Sequence, residues 1–331
     1  MPARSPPRIT RTERTAIAVA SALALAACAS PASTDRMVDF APLRPGICDE
    51  DPTRCDDEGH AWVDLPPEAE PRTLVFVIDA FSLPPPDANG RVPGLDLDGR
   101  ESGMGTDDPE TPCGEARADF VSSIEPVRGV DNQIATLVPT IEGLLDPTSC
   151  TGGVTAGCLD QMLEDDITTG RLLLLIEVLG VNSLANDPSI SIAVHHGSLR
   201  RGATIELGAA GRLAANQEFE AVSLLGQGSG TILDGRAAVE LDSFPLDLRA
   251  DDFHLLLNLE PARMRFDLTE TALERGVLAG VHYYERPEAT VCSVIGSVAD
   301  FGEASDECDG ECTGVSVGMT LSAVAAAIQD R

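Results

Sequence analysis

The sequence predicts a mainly β protein: an antiparallel sandwich, or an open antiparallel meander, with two or three short helices. Three observations predict it. Residues 236–268 alternate apolar and polar side chains with a period of two, over several consecutive runs. Two strand-length apolar runs, Arg72–Leu83 and Leu172–Val181, stand apart from that region. Helical spacing of apolar residues occurs only in short windows, two of them before residue 171 and one at the C-terminal end.

In chain order, Arg72–Leu83 is β-branched and aromatic, and continuous enough to be a buried strand. Pro84-Pro85-Pro86 ends it, because proline supplies no ladder donor. A first helix is predicted over Asp131–Asp146, with Asp131 as N-cap and a kink at Pro139. A second covers Ala156–Thr168, with Leu159, Met162, Leu163 and Ile167 inward and Glu164, Asp165 and Asp166 outward. Strands follow at 172–181, 189–196, 204–207 and 218–225. Gly226-Gln227-Gly228-Ser229-Gly230 reads as a loop between strands.

The clearest alternation then begins. Val239 and Leu241, Leu246 and Leu248, then Phe253, Leu255, Leu257 and Leu259, then Met264, Phe266 and Leu268 take one face. Charged neighbours such as Glu240, Asp247, Arg263 and Arg265 take the other, as in a half-buried antiparallel sheet. Pro245, Asp251-Asp252 and Pro261 punctuate the strands. Further strands are predicted at 276–284 and 289–295, and Met319–Gln329 is a candidate closing helix.

The N-terminus reads as an export signal. Arginines precede an apolar run, Thr15–Ala27, which is short and alanine-rich for a spanning helix. The run ends Leu25-Ala26-Ala27-Cys28 and resembles the lipobox of bacterial lipoproteins. That resemblance implies cleavage before Cys28, a diacylglycerol thioether on its sulfur and an N-acyl chain, which together are enough for stable anchoring. Ala29 at the second mature position implies, by the same resemblance, the outer membrane. Residues 28–71 form a tether rich in Ala, Ser, Pro and acid. A single domain is predicted over 72–331.

The net charge is -31, and no lysine occurs among the 23 basic residues. The acidic field excludes nucleic acid and anionic head groups as natural partners, leaving the membrane contact to the lipid anchor. The missing lysine excludes P-loop nucleotide binding and Schiff-base chemistry. Aromatic platforms for sugars are scarce: Trp62 is the single tryptophan.

After Cys28, eight cysteines remain: Cys48, Cys55, Cys113, Cys150, Cys158, Cys292, Cys308 and Cys312. An even number in an exported chain predicts disulfides. Eight cysteines allow about 105 connectivities, so only a local Cys48–Cys55 pair is assigned. Cys308 and Cys312 lack the partner pair that zinc spacing requires.

Residues 87–132 form an acidic, glycine-rich loop. From Asp87 to Asp131 it carries eleven carboxylates against four arginines. Asp87 with Asn89, and Asp96 with Asp98, occur in D-x-[DN]-G turns whose side chains can converge. Asp107, Asp108, Asp119, Asp131 and Asn132 add further oxygens. Calcium takes six to eight such ligands, so calcium is the cofactor the loop suggests, although the spacing is not that of an EF-hand. Asx turns in a solvated loop are the alternative.

The pairing of Gly94-Leu95-Asp96-Leu97-Asp98-Gly99 with Cys113, Gly129–Gln133 and the segment Cys312–Val324 resembles secreted lipoproteins of high-GC myxobacterial type. The resemblance implies an exported domain and no particular activity. The histidines show no metalloprotease pattern, and adjacent His195 and His196 point to opposite faces of a strand. Gly226–Gly230 is not a nucleophile elbow. The sequence therefore suggests a non-enzymatic, outer-membrane-anchored lipoprotein with a calcium-stabilised loop. The alternatives are a carrier of an apolar ligand in a β-sheet cavity and a calcium-dependent hydrolase.

Overall fold

Antiparallel β-structure dominates the computed structural model, as the alternation predicts. It describes residues 70–99, 119–143, 145, 150, 157–208, 211–250, 253–284, 300–305 and 311–329. The chain divides into a unit Met1–Asp64 and a unit Leu65–Arg331, and every described residue lies in the second. Residues 1–69, with Cys28, Cys48 and Cys55, lie outside the description. So do Asp107, Asp108, Cys113, Cys292, Cys308, the side chain of Cys312 and the strand expected over 289–295.

The strands are β1 (Arg72–Ser82), β2 (Arg91–Val92), β3 (Phe120–Ser122), β4 (Arg128–Val130), β5 (Leu174–Val181), β6 (Asn186–Ser198), β7 (Gln217–Leu233), β8 (Arg236–Leu241), β9 (Phe244–Ala250), β10 (Phe253–Leu268), β11 (Ala272–Tyr283), β12 (Phe301–Ser305) and β13 (Glu311–Ile328). Two helices, α1 (Ile134–Glu142) and α2 (Cys158–Thr169), precede β5. The main sheet runs β1-β5-β6-β7-β8-β10-β11-β13, and β13 pairs back onto β1. Every neighbouring pair in that ring is antiparallel. The meander therefore closes into an eight-stranded barrel-like sheet, which removes its two edges.

β13 closes the ring, and it corrects the helix predicted over Met319–Gln329. Val315, Val317, Met319, Leu321 and Ala323 are all buried, in strict alternation with Ser316, Gly318, Thr320 and Ser322. Slipping β13 by one residue would turn the polar set inward and expose the apolar one. At about 1.5–3 kcal/mol for each large side chain, that slip would cost roughly 6–12 kcal/mol. Helix was suggested by the alanines at 325–327, which carry no burial pattern. Their pairing partners, Phe76 of β1 and Gln217 and Glu218 of β7, are remote in sequence.

β1 and the start of β5 are buried on both faces. One face, with Phe76 and Ile176, enters the barrel interior. The other lies under α2, whose Leu159, Leu163 and Ile167 join the same core cluster. Double coverage explains why these two strands read as continuous apolar runs, while β8 and β13 alternate. α2 begins where Glu142, at the end of α1, accepts hydrogen bonds from the backbone N–H of Gly157 (2.9 Å) and Leu159 (3.1 Å). The sulfurs of Cys150 and Cys158 meet at disulfide distance beside it, with 5.7 Å between Cα atoms. Asp166, expected on the outer face, is buried and paired with Arg171 at 2.5 Å.

Three further readings are corrected. Residues 204–207 form no strand; Leu207 makes an isolated bridge to Leu213. Pro261 lies within β10 rather than between strands. Its missing N–H falls where β8 hands over to β9 along β10, between the pairs Ala262–Leu241 and Leu259–Phe244. Gly226–Gly230 is the middle of β7, not a loop. Gly226, Gly228 and Gly230 stand opposite Val194, Ile192 and Ile190, on the interior face. An added Cβ at Gly226 would sit 2.6 Å from the Ser243 carbonyl oxygen, and at Gly228 it would overlap the Glu240 carbonyl oxygen. Alternate glycines let β7 and β8 approach so closely that the sheet can bend there.

Gly228→Ala is expected to destabilise the fold by about 3 kcal/mol or more, because the obstacle is backbone rather than a movable side chain. Ser229→Ala, on the opposite face of β7, is expected to stay within about 0.5 kcal/mol of the parent. Urea unfolding of both variants measures this, and a parental midpoint for Gly228→Ala would refute the close-approach argument.

Candidate functional site

The described parts of the acidic loop, residues 87–99 and 119–132, are mounted on the outside of the barrel. β2, β3 and β4 make a small separate sheet, in which β2 pairs β3 in parallel and β3 pairs β4 antiparallel. Leu95 packs on Val277 and Ala279 of β11. Arg263 of β10 donates from one guanidinium nitrogen to the carbonyl oxygens of Asp96 (3.1 Å) and Leu97 (3.2 Å). Glu125 is held by Arg236 (2.5 Å) and Arg265 (3.2 Å). The arginines that marked the polar face of the sheet thus fasten the loop to it.

Asn132 makes the tightest joint. It is fully buried. Its amide N–H groups donate to the carbonyls of Pro93 (2.6 Å) and Gly318 (3.0 Å), and its Oδ1 accepts the Gly318 N–H (2.9 Å). Gly318 is needed because a Cβ there would meet the Pro93 carbonyl oxygen at 2.5 Å and Gly94 Cα at 2.9 Å. Next to it, the Gln133 N–H donates to Ser316 Oγ at 2.9 Å. Two motifs singled out in the sequence, Gly129–Gln133 and Cys312–Val324, are therefore contact partners. With its amide bonded to the backbone of Pro93 and Gly318, Asn132 clamps the loop to β13.

Among the described residues, Asp96, Asp98 and Asp131 each place one carboxylate oxygen within 4.8 Å of the others. Asp96 and Asp98 are exposed and Asp131 is buried. Asp96 Oδ1 accepts the Gly99 N–H at 2.6 Å, the Asx turn expected of D-x-D-G. Asp131 does not cap α1: Gln133 occupies that position. Instead its backbone N–H bonds the Leu95 carbonyl (3.1 Å) and its Oδ2 accepts the Leu97 N–H (2.6 Å). Asp87 serves a different turn, accepting the N–H groups of Asn89 (2.7 Å) and Arg91 (2.9 Å). Those bonds hold its carboxyl below the usual range.

Electrostatics mark Asp131 out. Burial pushes its carboxyl up to about 8, and the charges of Asp119, Asp98 and Asp300 push in the same direction. Asp300, which sequence reasoning missed, is raised to about 7 by burial and by the charge of Asp119. It accepts the Ser316 N–H (2.8 Å) and the Ser316 hydroxyl. No local pattern in Val298-Ala299-Asp300-Phe301 marks it, since its neighbours arrive from β13 and from the loop. Such a cluster holds several carboxylates that resist ionising together. It suits protons, or a divalent cation, that would neutralise them.

The remaining candidates separate. His195 pairs with Glu177 at 2.7 Å, while His196 lines a different part of the molecule. Among the described residues, no helix is long and apolar enough to cross a membrane. No family model, no curated protein and no solved structure matches this chain.

The raised acids set a pH dependence. A carboxyl that takes its proton more firmly in the folded state stabilises the fold below its unfolded value of 3.8. That stabilisation is lost as the pH rises to about 8. Without divalent cations, the melting temperature is expected to fall across that window, and Asp131→Asn is expected to flatten the fall. Thermal melts from acid to mildly alkaline pH test this; an identical slope in Asp131→Asn would count against Asp131 as its source.

Proposed function

We propose that this protein is a non-enzymatic lipoprotein, anchored through Cys28 to the outer membrane, whose barrel displays a calcium-ordered acidic loop as a binding or structural face of the cell envelope. The observation that carries the calcium reading is the convergence of Asp96, Asp98 and Asp131. Three carboxylates at that spacing suit a hard cation that takes oxygen ligands at 2.3–2.6 Å, with backbone carbonyls and water completing the shell. A cation there also offsets the repulsion that Asp131 feels from Asp98, Asp119 and Asp300. The anchor reading rests on the leader and on Leu25-Ala26-Ala27-Cys28. Within this reading the loop and the barrel strand beneath it do the positioning. Asn132 and Arg263 fix its backbone, and Asp131 projects from a base already tied to Leu95 and Leu97.

Calcium at a hundredfold excess over its dissociation constant is expected to stabilise the protein by about 2.7 kcal/mol, and a chelator to reverse the gain. Asp98→Ala is expected to remove the calcium response and leave the calcium-free melt near parental. Asp87→Ala, in the separate turn, is expected to keep the response. Calorimetric melts with calcium and with chelator decide it, and an equal response in parent and Asp98→Ala would sink the assignment. Cys28→Ser is expected to move the protein from the membrane fraction to the soluble one. Retention in the membrane fraction would overturn the anchor.

A further inference from the structure

The ring of strands has a side opening. β8 and β9 run in succession along β10, but of these two β7 pairs with β8 alone among the described residues, through Gly228–Leu233. Along β9, whose one strand partner is β10, β7 has no ladder. Where the two strands part, a cavity of about 510 Å³ enters the barrel wall. Leu172, Leu174, Leu225 and Leu246 line it, together with His196 and Ser223. Leu174, His196 and Ser223 are successive cross-strand partners on β5, β6 and β7, so their side chains share one face of the sheet. Neither His196 nor Ser223 has a side-chain hydrogen-bond partner among the described residues. Arg171 also borders the cavity, but its charge is matched by Asp166 at 2.5 Å.

Apolar walls, a volume within the range of small-molecule pockets and two convergent hydrogen-bonding groups are the features of a ligand site. We propose that this side opening binds an uncharged apolar molecule carrying a single hydroxyl or carbonyl, which His196 and Ser223 engage while the leucines enclose its hydrocarbon part. An anion is disfavoured, because Arg171 is already paired, Asp247 adds a further acid to the wall and the whole chain is strongly acidic. The site is independent of the acidic loop, so it stands or falls apart from the calcium reading.

The test uses the full chain carrying Cys28→Ser, so that no acyl anchor adds a second hydrophobic phase. The uncharged fluorophore N-phenyl-1-naphthylamine is titrated in, then displaced with 1-decanol or with decanoate. A saturable rise in fluorescence, displaced more readily by decanol than by decanoate, is the expected result. Ser223→Trp, at an exposed position where folding is not at risk, is expected to fill the opening and abolish the rise. Leu225→Trp fills it from the neighbouring position. His196→Ala is expected to weaken decanol by up to about tenfold, the effect of one lost hydrogen bond. Absence of a saturable rise overturns the proposal. So does a rise that survives both tryptophan variants, which would place the probe on the exposed Val222 and Leu224 instead. Displacement by decanoate at equal or lower concentration overturns the uncharged class.

Discussion

The pairing of β13 with β1 is the constraint on which the rest of the molecule depends. β13 is hydrogen-bonded on both flanks, to β1 near the start of the domain and to β11 near its end. Its inner side chains, from Val315 to Ala323, fill the barrel interior beside Phe76, Phe81, Leu278 and Met264. Its outer side, at Ser316 and Gly318, is the surface on which the acidic loop is fastened. One strand therefore closes the sheet, completes the core and supplies the anchor for the loop. Closing so long a meander pairs residues almost the whole domain apart, so its contacts carry a loop-closure cost that local contacts do not.

The loop shows how a polar, glycine-rich segment is held with only a small apolar cluster of its own, Val92 and Val130 with Phe120 beside them. Its backbone groups are met by a buried amide, an arginine and a small sheet rather than by regular pairing with the barrel. The arrangement gathers Asp131, Asp300 and their acidic neighbours into a partly dry place, where mutual repulsion and burial raise two carboxyls toward neutrality. A loop tied this firmly presents its exposed acids, Asp96 and Asp98, from a fixed base. Pre-organisation of that kind is what a cation site needs if binding is not to be spent on ordering the chain.

Much of the fold was legible because antiparallel strands write their environment into a period of two. β8 and the strands near 172 and 189 were read within a few residues, and so was α2, whose inner side chains recur at helical spacing; β10 was read in two halves, split at Pro261. The misreadings have separate physical causes. Gly226–Gly230 looked like a loop because glycine is scarce in strands, yet here its missing Cβ admits a neighbouring backbone. The end of β13 looked helical because alanine carries no burial pattern. Asp131 looked like a helix cap because Asp commonly is one, but Leu95 and Leu97 compete for its backbone and carboxylate. In the site, the D-x-D-G turn and Asp131 were visible locally, and Asp300 was not.

The sequence by itself determined the strand class, the acidic character of the chain and the identity of the loop that carries the carboxylates. These follow from composition and short-range periodicity, which act over a few residues. The tertiary structure alone decided that the sheet closes and that Asn132 clamps the loop to β13. It also decided that Asp96 and Asp98 meet Asp131, and that β7 and β9 part to leave an opening beside His196. Each of those depends on register between strands distant in the chain, and register is set by the simultaneous burial of side chains from every strand at once.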